Sequence, residues 1–535
     1  MTVADQARNS TAVAAWTMVS RVTGFVRIAV IAAVLGPTYL GSLFLAINAL
    51  PQLALQFLAG SLIGSLLIPT LTPGIDRGDA EATDEIAGGF LGAALLAFAA
   101  AAVVLIAAAP LILGVLTIGV ADRGVASDQL RSGWLLMALT MPQLPLYATA
   151  LVGGAVMNAH GRFRLAAAAP VAENIGVMTT LLAVALIYGT GSDIGSISDG
   201  ELLLLGLGST GAVVLHASVM VWGARRAGPS MVPRRGWRIP AVTVLLRRLR
   251  SSVGQTGLSA LRFFSLLTAA NTVPGGVVAF QLALNFLYLP VQVGAQPITL
   301  TMLPTLSRLH HAGDEQGFRD ECTRGVALIC FLTLPAAVAY LVLAGPLSDA
   351  MAFGAMSGTA GPALVAACLA GIALAVVGEA AFQLFTNASY ARGDARSPFV
   401  ATAAGTAITL ACLPAALALD GSSALLAIGL AQSAGAGFSA LYLRRRLDAG
   451  LPAPRQSASR SMLRTLAASA AMAVPAYAVA VAFTSVTDGP VGAAAGVLAA
   501  ALIGIATFVA LQRHWDSAEL MFFSGGLRRL RRGSA

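Results

Sequence analysis

The sequence has 535 residues, of which 57% are hydrophobic and only 11% charged, and its net charge is +9. Soluble domains contain about 25% charged residues, so this composition excludes a soluble globular protein of this length. Apolar runs of about 20 residues, rich in Ala and Leu, are typical of membrane-spanning helices rather than of β-barrel strands. The sequence therefore predicts an all-α polytopic membrane protein.

Taken in chain order, the apolar runs predict about 14 transmembrane helices. Six runs precede a long polar connection, six follow it, and two more lie near the C-terminus. Their approximate bounds are 12–35, 43–70, 87–117, 132–157, 166–189, 201–224, 252–273, 277–304, 322–345, 361–390, 397–419, 421–443, 461–484 and 489–512.

The placement of arginine predicts how these helices are oriented. All 33 basic residues are Arg, and with the N-terminus inside they gather in alternate connections, whereas the outer loops hold only Arg123 and Arg131. Both termini are then expected to be cytoplasmic. The predicted parts are an N-terminal lobe 1–224 (spans 1–6), a basic cytoplasmic linker 225–251, a C-terminal lobe 252–443 (spans 7–12), a basic cytoplasmic loop 444–460, spans 13–14 at 461–512 and a basic cytoplasmic tail 513–535.

An internal repeat relates the two lobes. The end of the second span, "LIPTLTPGIDRGD", matches the end of the eighth, "MLPTLSRLHHAGD", and "NAHGRFR" (158–164) matches "YARGDAR" (390–396) at nearly the same offset. Two six-helix lobes that start from the same side predict a parallel pseudo-twofold repeat, with two C-terminal helices appended. Transporters built this way hold their substrate between the lobes.

Two arginines interrupt the first apolar run in "SRVTGFVR" (20–27). A guanidinium buried in lipid is costly, so Arg21 and Arg27 either snorkel to the interface or face something anionic. Arg262 lies about ten residues into the seventh span, which favours a polar cavity. Glu173 and Glu379 are intramembrane carboxylates that fit either ion coupling or an ion pair with an arginine. His216, in the sixth span, is expected to be a hydrogen-bonded packing residue.

These motifs together resemble the MurJ (MviN) lipid II flippase family of the multidrug/oligosaccharidyl-lipid/polysaccharide exporter superfamily. The resemblance rests on "SRVTGFVR", "LPTLSRL" (303–309), "LTLPAAVAYLVLAGPL" (332–347) and "YARGDARSP" (390–398), in this order. It implies a bacterial inner-membrane flippase that moves a polyprenyl-pyrophosphate-linked saccharide to the outer leaflet by alternating access. Arg21 and Arg27 stand at the family's first-helix arginine positions, which are thought to hold the pyrophosphate.

Several positions depart from the family's polar pattern. Ser42 stands where the family usually has an acidic residue, and Arg262 where it usually has a neutral amide. The other replaced positions are Ala49, Gln52, Leu55, Gly60 and Asn285. Lipid-linked glycans other than lipid II therefore stay open as substrates. The predicted substrate-binding residues are Arg21, Arg27, Asn48, Gln52, Arg262 and Asn285.

No Walker A pattern or other nucleotide motif is present, so we expect no cofactor, no ATP coupling and transport driven by an ion gradient or the membrane potential. The four cysteines show no metal or disulfide spacing. Expected partners are a polyprenyl-linked glycan lipid, anionic membrane lipids, and cell-wall synthesis or division proteins, with no nucleic acid. The alternatives are a non-transporting scaffold that retains the fold, a multidrug exporter of the same superfamily, and a membrane glycosyltransferase. Such an enzyme needs carboxylates in an outer loop near the first spans, and the first outer loop, "GPTYLGS", has none.

Overall fold

The computed structural model describes the backbone of residues 3–58, 62–236, 240–487 and 489–524. Side chains are described for residues 12–56, 67–236, 254–487 and 489–524. Within these ranges the chain is helical and contains no strand, which confirms the all-α prediction. The predicted departure at Gly60 and the arginines of the tail beyond residue 524 lie outside the described residues, as do the side chains of 237–253 in the predicted linker.

The chain forms two compact units, Met1–Val278 and Ala279–Ala535. Ten helices lie in the first unit, and an eleventh crosses the boundary. They are α1 (Val3–Leu35), α2 (Tyr39–Leu58), α3 (Leu62–Asp76), α4 (Ala80–Ala107), α5 (Ala109–Leu116), α6 (Arg123–Thr140), α7 (Gln143–Ala159), α8 (Phe163–Tyr188), α9 (Asp199–Arg225), α10 (Pro240–Ala270) and α11 (Gly276–Pro290).

The second unit continues α11 through a π-helical turn, Val291–Ala295, into α12. A short 3₁₀ turn, Gly354–Met356, precedes its longest helix. The helices are α12 (Gln296–His311), α13 (Glu315–Val342), α14 (Ala344–Asp349), α15 (Gly361–Ala391), α16 (Arg396–Leu417), α17 (Gly421–Asp448), α18 (Ser459–Val486) and α19 (Gly489–His514).

Twelve segments of the described chain are long and apolar enough to cross a membrane, so the protein is multi-pass. Two of the fourteen predicted runs, 43–70 and 252–273, are not among these segments. The first corresponds to α2 and α3, and the second lies in α10. Two of the candidate spans each combine two helices. One is formed by α6 with α7 and the other by α11 with α12. The predicted number of helices is thus approximately right.

The boundary between the units falls after α10 rather than before it. Helix α10 packs against α2, α3, α4 and α5, and the first unit consequently extends to Val278. The repeat-based division into lobes 1–224 and 252–443 remains a prediction.

The two copies of the first repeat motif take the same local structure, one in each unit. Helix α3 ends before Gly78 (φ 69°), and Asp79 then caps α4; likewise α12 ends before Gly313 (φ 72°), and Asp314 caps α13. Each aspartate accepts a backbone N–H of the following helix. A glycine with positive φ ends one helix, and the aspartate after it caps the next. The two matching sequences therefore form the same turn.

The chain after α9 packs as a strap, residues 231–236, against the first turns of α4. The Arg234 amide donates to the Gly88 carbonyl (2.9 Å), and the Arg234 guanidinium pairs with Asp84. Asp84 also accepts from the Ser230 amide (2.6 Å) and hydroxyl (2.7 Å). A Cβ at Gly92 would overlap the Arg234 carbonyl oxygen, so glycine at this position permits the close approach. The start of the predicted linker is therefore fixed.

Within the second unit, ion pairs link the start of α13 to the end of α17 and to the segment between α17 and α18. Arg319 of α13 pairs with Asp448 at the end of α17. Asp320 accepts the Arg455 amide (2.9 Å) and lies 3.7 Å from the Arg455 guanidinium. Part of the predicted basic loop 444–460 is therefore neutralised by acids of its own unit.

Candidate functional site

Four helices of the first unit bring polar side chains together at Glu173. This carboxylate lies on α8 and is buried. Its Oε1 accepts from the Tyr147 hydroxyl of α7 at 2.9 Å and from Arg27 Nη1 of α1 at 3.4 Å. Its Oε2 lies 2.7 Å from His216 Nδ1 of α9. We call these four residues the Glu173 cluster. A buried carboxylate needs such donors, because losing water without replacing its hydrogen bonds is costly.

The residue after Glu173 fixes α8 against α1. Asn174 Nδ2 donates to the Ser20 carbonyl at 3.2 Å and to Thr23 Oγ1 at 3.0 Å. Gly24 faces the same amide, and a Cβ there would lie 3.7 Å from Nδ2. The Glu-Asn pair therefore holds the first helix at two neighbouring turns, and Arg27 is placed one turn beyond Thr23.

His216 and Tyr147 support the carboxylate from the other side. Their rings meet edge to face, with centroids 6.5 Å apart and planes at 76°. When Glu173 is ionised, its carboxylate only accepts, so His216 Nδ1 then carries the proton in this contact. His216 Nε2 is buried without a hydrogen-bond partner among the described residues. The histidine is thus hydrogen-bonded, as the sequence predicts, but through one nitrogen only.

Arg27 is held by Glu173 yet keeps donors available. Its side chain is 22% exposed, compared with 8% for Glu173. Nη1 contacts the carboxylate, while Nε is buried with no hydrogen-bond partner in the described part of the chain. A guanidinium has five N–H donors in a planar fork that suits phosphate oxygens. Arg27 can therefore bind an additional anion.

The other predicted binding residues of the first unit differ in their exposure and in the groups that they contact. Gln52 of α2 is exposed and lies close to the Tyr147 phenol of the cluster. Asn48 donates to the Phe44 carbonyl of its own helix at 2.9 Å. Arg21 is exposed on α1, and Arg262 is half-buried on α10. Of the predicted residues, the described contacts thus bring together Arg27 and Glu173, and Gln52 lies close to Tyr147 of the same cluster.

Two predicted residues belong to the second unit. Asn285 is half-buried on α11, and its amide donates to the Gln281 carbonyl at 2.8 Å. Glu379 is buried on α15 and accepts from Gln432 Nε2 of α17 at 3.1 Å. Gln432 Oε1 is buried and has no hydrogen-bond partner within the described ranges. Glu379 therefore has a neutral amide donor among its contacts.

Comparison with known proteins places the chain in a family. The profile of the family described as "Lipid II flippase MurJ" matches residues 31–496. The chain belongs to the MurJ family. This confirms the family that the sequence motifs resemble.

Individual MurJ relatives are distant. A probable lipid II flippase MurJ of Haemophilus influenzae is 24% identical over 343 residues, which cover 62% of this chain and 65% of the relative. The matched region thus spans just under two thirds of that relative's length. The fold matches a solved structure of lipid II flippase MurJ in an inward closed conformation, with TM-score 0.72, 16% identity and coverage of 94% of this chain and 98% of that one.

A second matching solved structure is a transporter described under a different family name. It is an inward-facing multidrug resistance MATE family transporter, with TM-score 0.63 and 14% identity, covering 80% of this chain and 95% of that one. At such low identities both structural matches show a shared fold alone.

Three of the positions predicted to depart from the family's polar pattern lie on α2. Ser42, where the family usually has an acid, is fully buried, and its hydroxyl has no hydrogen-bond partner in the described chain. Ala49 and Leu55, at usual arginine positions, are half-buried on α2.

Sequence reasoning missed Tyr147, which is central to the cluster. A tyrosine within an apolar run carries no signal of its own, because most such residues pack with the ring alone. Only the approach of α7 to α8 gives its hydroxyl a carboxylate to bind.

Proposed function

We propose that this MurJ-family chain is a flippase for a polyprenyl-(pyro)phosphate-linked cell-envelope precursor. Its substrate would be lipid II or a related lipid-linked glycan, moved from the inner to the outer leaflet by alternating access. The observation that carries the proposal is Arg27, a guanidinium inside a membrane-spanning helix that is held by Glu173 yet partly exposed. Family membership supports the same activity.

The Glu173 cluster suggests how the headgroup would be bound. A pyrophosphate carries more negative charge than a carboxylate and presents paired oxygens, which an arginine binds with two parallel N–H donors. Arg27 would exchange part of its contact with Glu173 for the phosphate. Glu173 would stay satisfied, because Tyr147 and His216 continue to donate to it. The exchange therefore leaves the buried carboxylate hydrogen-bonded.

Further residues would contact the headgroup or couple transport to an ion. Arg21 and Arg262 would add positive charge, and Asn48, Gln52 and Asn285 would bind the glycan or phosphate through their amides. Glu173 and Glu379 are the proposed coupling residues, because carboxylates inside a membrane often carry protons or cations. A gradient or the membrane potential would drive the cycle. The proposed location is the bacterial inner membrane with both termini cytoplasmic, and cell-wall synthesis or division proteins are proposed partners.

A leaflet-accessibility assay tests the activity. Purified protein is reconstituted into vesicles loaded on one leaflet with lipid II or with a simpler polyprenyl-pyrophosphate sugar, and the fraction reaching the other leaflet is followed with time. We expect protein-dependent translocation of at least one of the two lipids. The matched variants are Arg27→Gln, Arg21→Gln and Arg262→Gln, each of which removes one charge.

Two alternative activities predict different results in the same vesicles. A non-transporting scaffold would give the same rate as protein-free vesicles with both lipids. A multidrug exporter, the activity named for the MATE neighbour, would transport an organic cation that competes for the site while a lipid pyrophosphate does not. Either result would overturn the flippase proposal.

A further inference from the structure

A groove on the surface of the first unit has apolar residues along its walls and two arginines at one end. It lies between α7 and α9 and has a volume of about 610 Å³. Leu146, Val214, Ala217 and Val221 contribute to its apolar part, and Arg225 and Arg226 line its end. These residues do not belong to the Glu173 cluster, although His216 lies on the same helix.

The lining residues follow one face of α9. Val214, Ala217, Val221 and Arg225 are three or four residues apart, which places them above one another on a helix. From Val214 to Arg225 the chain advances eleven residues, or about 16 Å at 1.5 Å per residue. This equals roughly half of the 30 Å hydrocarbon core of a bilayer. The groove together with its arginine end therefore spans about the depth of one leaflet, and its apolar part, from Val214 to Val221, about 10 Å of that.

The arginines at the end of the groove are held in place. Arg225 Nε donates to the Ser230 carbonyl at 3.1 Å. The Arg226 guanidinium stacks over the Trp222 ring, 4.2 Å from its centroid, and Trp222 is 51% exposed. Tryptophan is enriched at the level of lipid headgroups. Two ordered guanidiniums thus stand where the polar end of a lipid in this groove would lie.

We propose that this groove binds an anionic phospholipid. One acyl chain would lie along the apolar face of α9, and the phosphate would contact Arg225 and Arg226. Charge complementarity identifies the occupant, because two cations at the end of an apolar groove match an anionic headgroup with an attached acyl chain. The basic end is expected on the cytoplasmic side, where anionic lipids are concentrated.

The site is independent of the proposed transport reaction, since it uses neither Arg27 nor Glu173. It also differs from a site for the transported lipid, whose polyprenyl tail would have to leave the groove in every cycle. A phospholipid bound there would instead be a resident ligand that contacts α7 and α9 from outside.

Photo-crosslinking tests the proposal on the full-length protein in nanodiscs. The probe is phosphatidylglycerol with a diazirine in its acyl chain, and the crosslinked peptides are mapped by mass spectrometry. We expect crosslinks in α7 and α9, and competition by unlabelled phosphatidylglycerol but not by phosphatidylcholine. Equal competition by phosphatidylcholine, or stronger competition by a polyprenyl pyrophosphate, would overturn the assignment to an anionic phospholipid.

Three variants separate charge, space and general electrostatics. Arg225→Gln with Arg226→Gln should weaken binding roughly thirtyfold, from the contribution of two basic residues near an anionic headgroup. Ser218 on α9 also lines the groove, so Ser218→Trp should fill it and abolish the crosslink without changing charge. Arg445→Gln with Arg446→Gln removes the same charge from the exposed last turn of α17 and should leave the crosslink unchanged. Wild-type crosslinking in the first variant would contradict the proposal.

Discussion

Glu173 is a buried carboxylate that is stabilised by three donors from three other helices. Its partner Arg27 lies 146 residues away in the sequence. The sequence identified both as charges within apolar runs, because such residues are rare there. It left open whether they pair, since that depends on how α8 packs against α1. The contacts of Asn174 with Ser20 and Thr23, which set this packing, had no signal in the sequence.

Replacing Glu173 by Gln should destabilise the protein, because Arg27 then loses its ionic partner while staying partly buried. Breaking a fully buried pair costs about 3–5 kcal/mol, and the partial exposure of Arg27 reduces the expected loss to about 1–3 kcal/mol. The free energy of unfolding in detergent measures the change. Glu85→Gln removes an exposed carboxylate from α4 and should change it by less than about 0.5 kcal/mol.

The double variant Arg27→Gln, Glu173→Gln completes the cycle. It should be more stable than the sum of the single changes predicts, because neither charge is left alone. Strict additivity of the two single effects would show that the pair contributes nothing.

Helices and their turns could largely be predicted, whereas packing between them could not. The repeated Gly-Asp pairs at 78–79 and 313–314 could be recognised in the sequence, and they form the same helix-ending turn in each unit. The strap 231–236 was predicted only as part of a basic linker. Its place on α4 depends on Gly88 and Gly92, which in the sequence resemble any other glycines of an Ala-rich run.

Gly92→Ala should release the strap from α4, because the added Cβ would overlap the Arg234 carbonyl oxygen. The expected result is faster trypsin cleavage after Arg234 and Arg235 in purified protein. Gly211→Ala is the matched control: a Cβ at this helical position of α9 meets nothing within 4 Å. Equal cleavage of both variants and the wild type would show that the strap tolerates the change.

Composition and hydropathy were enough to predict a multi-pass helical protein. They do not reveal that α10, which follows the linker in sequence, packs against α2, α3, α4 and α5 of the first unit. The predicted orientation rests on the arginine distribution, a property of the whole chain. It assigns residues 190–198, between α8 and α9, to the outside and the 449–458 connection to the cytoplasm.

Single cysteines test this orientation after the four native cysteines are replaced. Ser196→Cys and Ser457→Cys both lie at exposed positions. In intact cells, a membrane-impermeant maleimide should label residue 196 and spare residue 457, while both should react after lysis. The reverse pattern would invert the proposed topology.

The most direct measurement of the proposed site is the affinity of the purified protein for a polyprenyl pyrophosphate. If Arg27 binds the phosphates, Arg27→Gln should weaken binding by about 10- to 100-fold, the contribution of a hydrogen bond to a charged group. Arg164→Gln, which removes a charge from the first turn of α8 outside the Glu173 cluster, should stay within about twofold of the wild type. Wild-type affinity in Arg27→Gln would contradict the account.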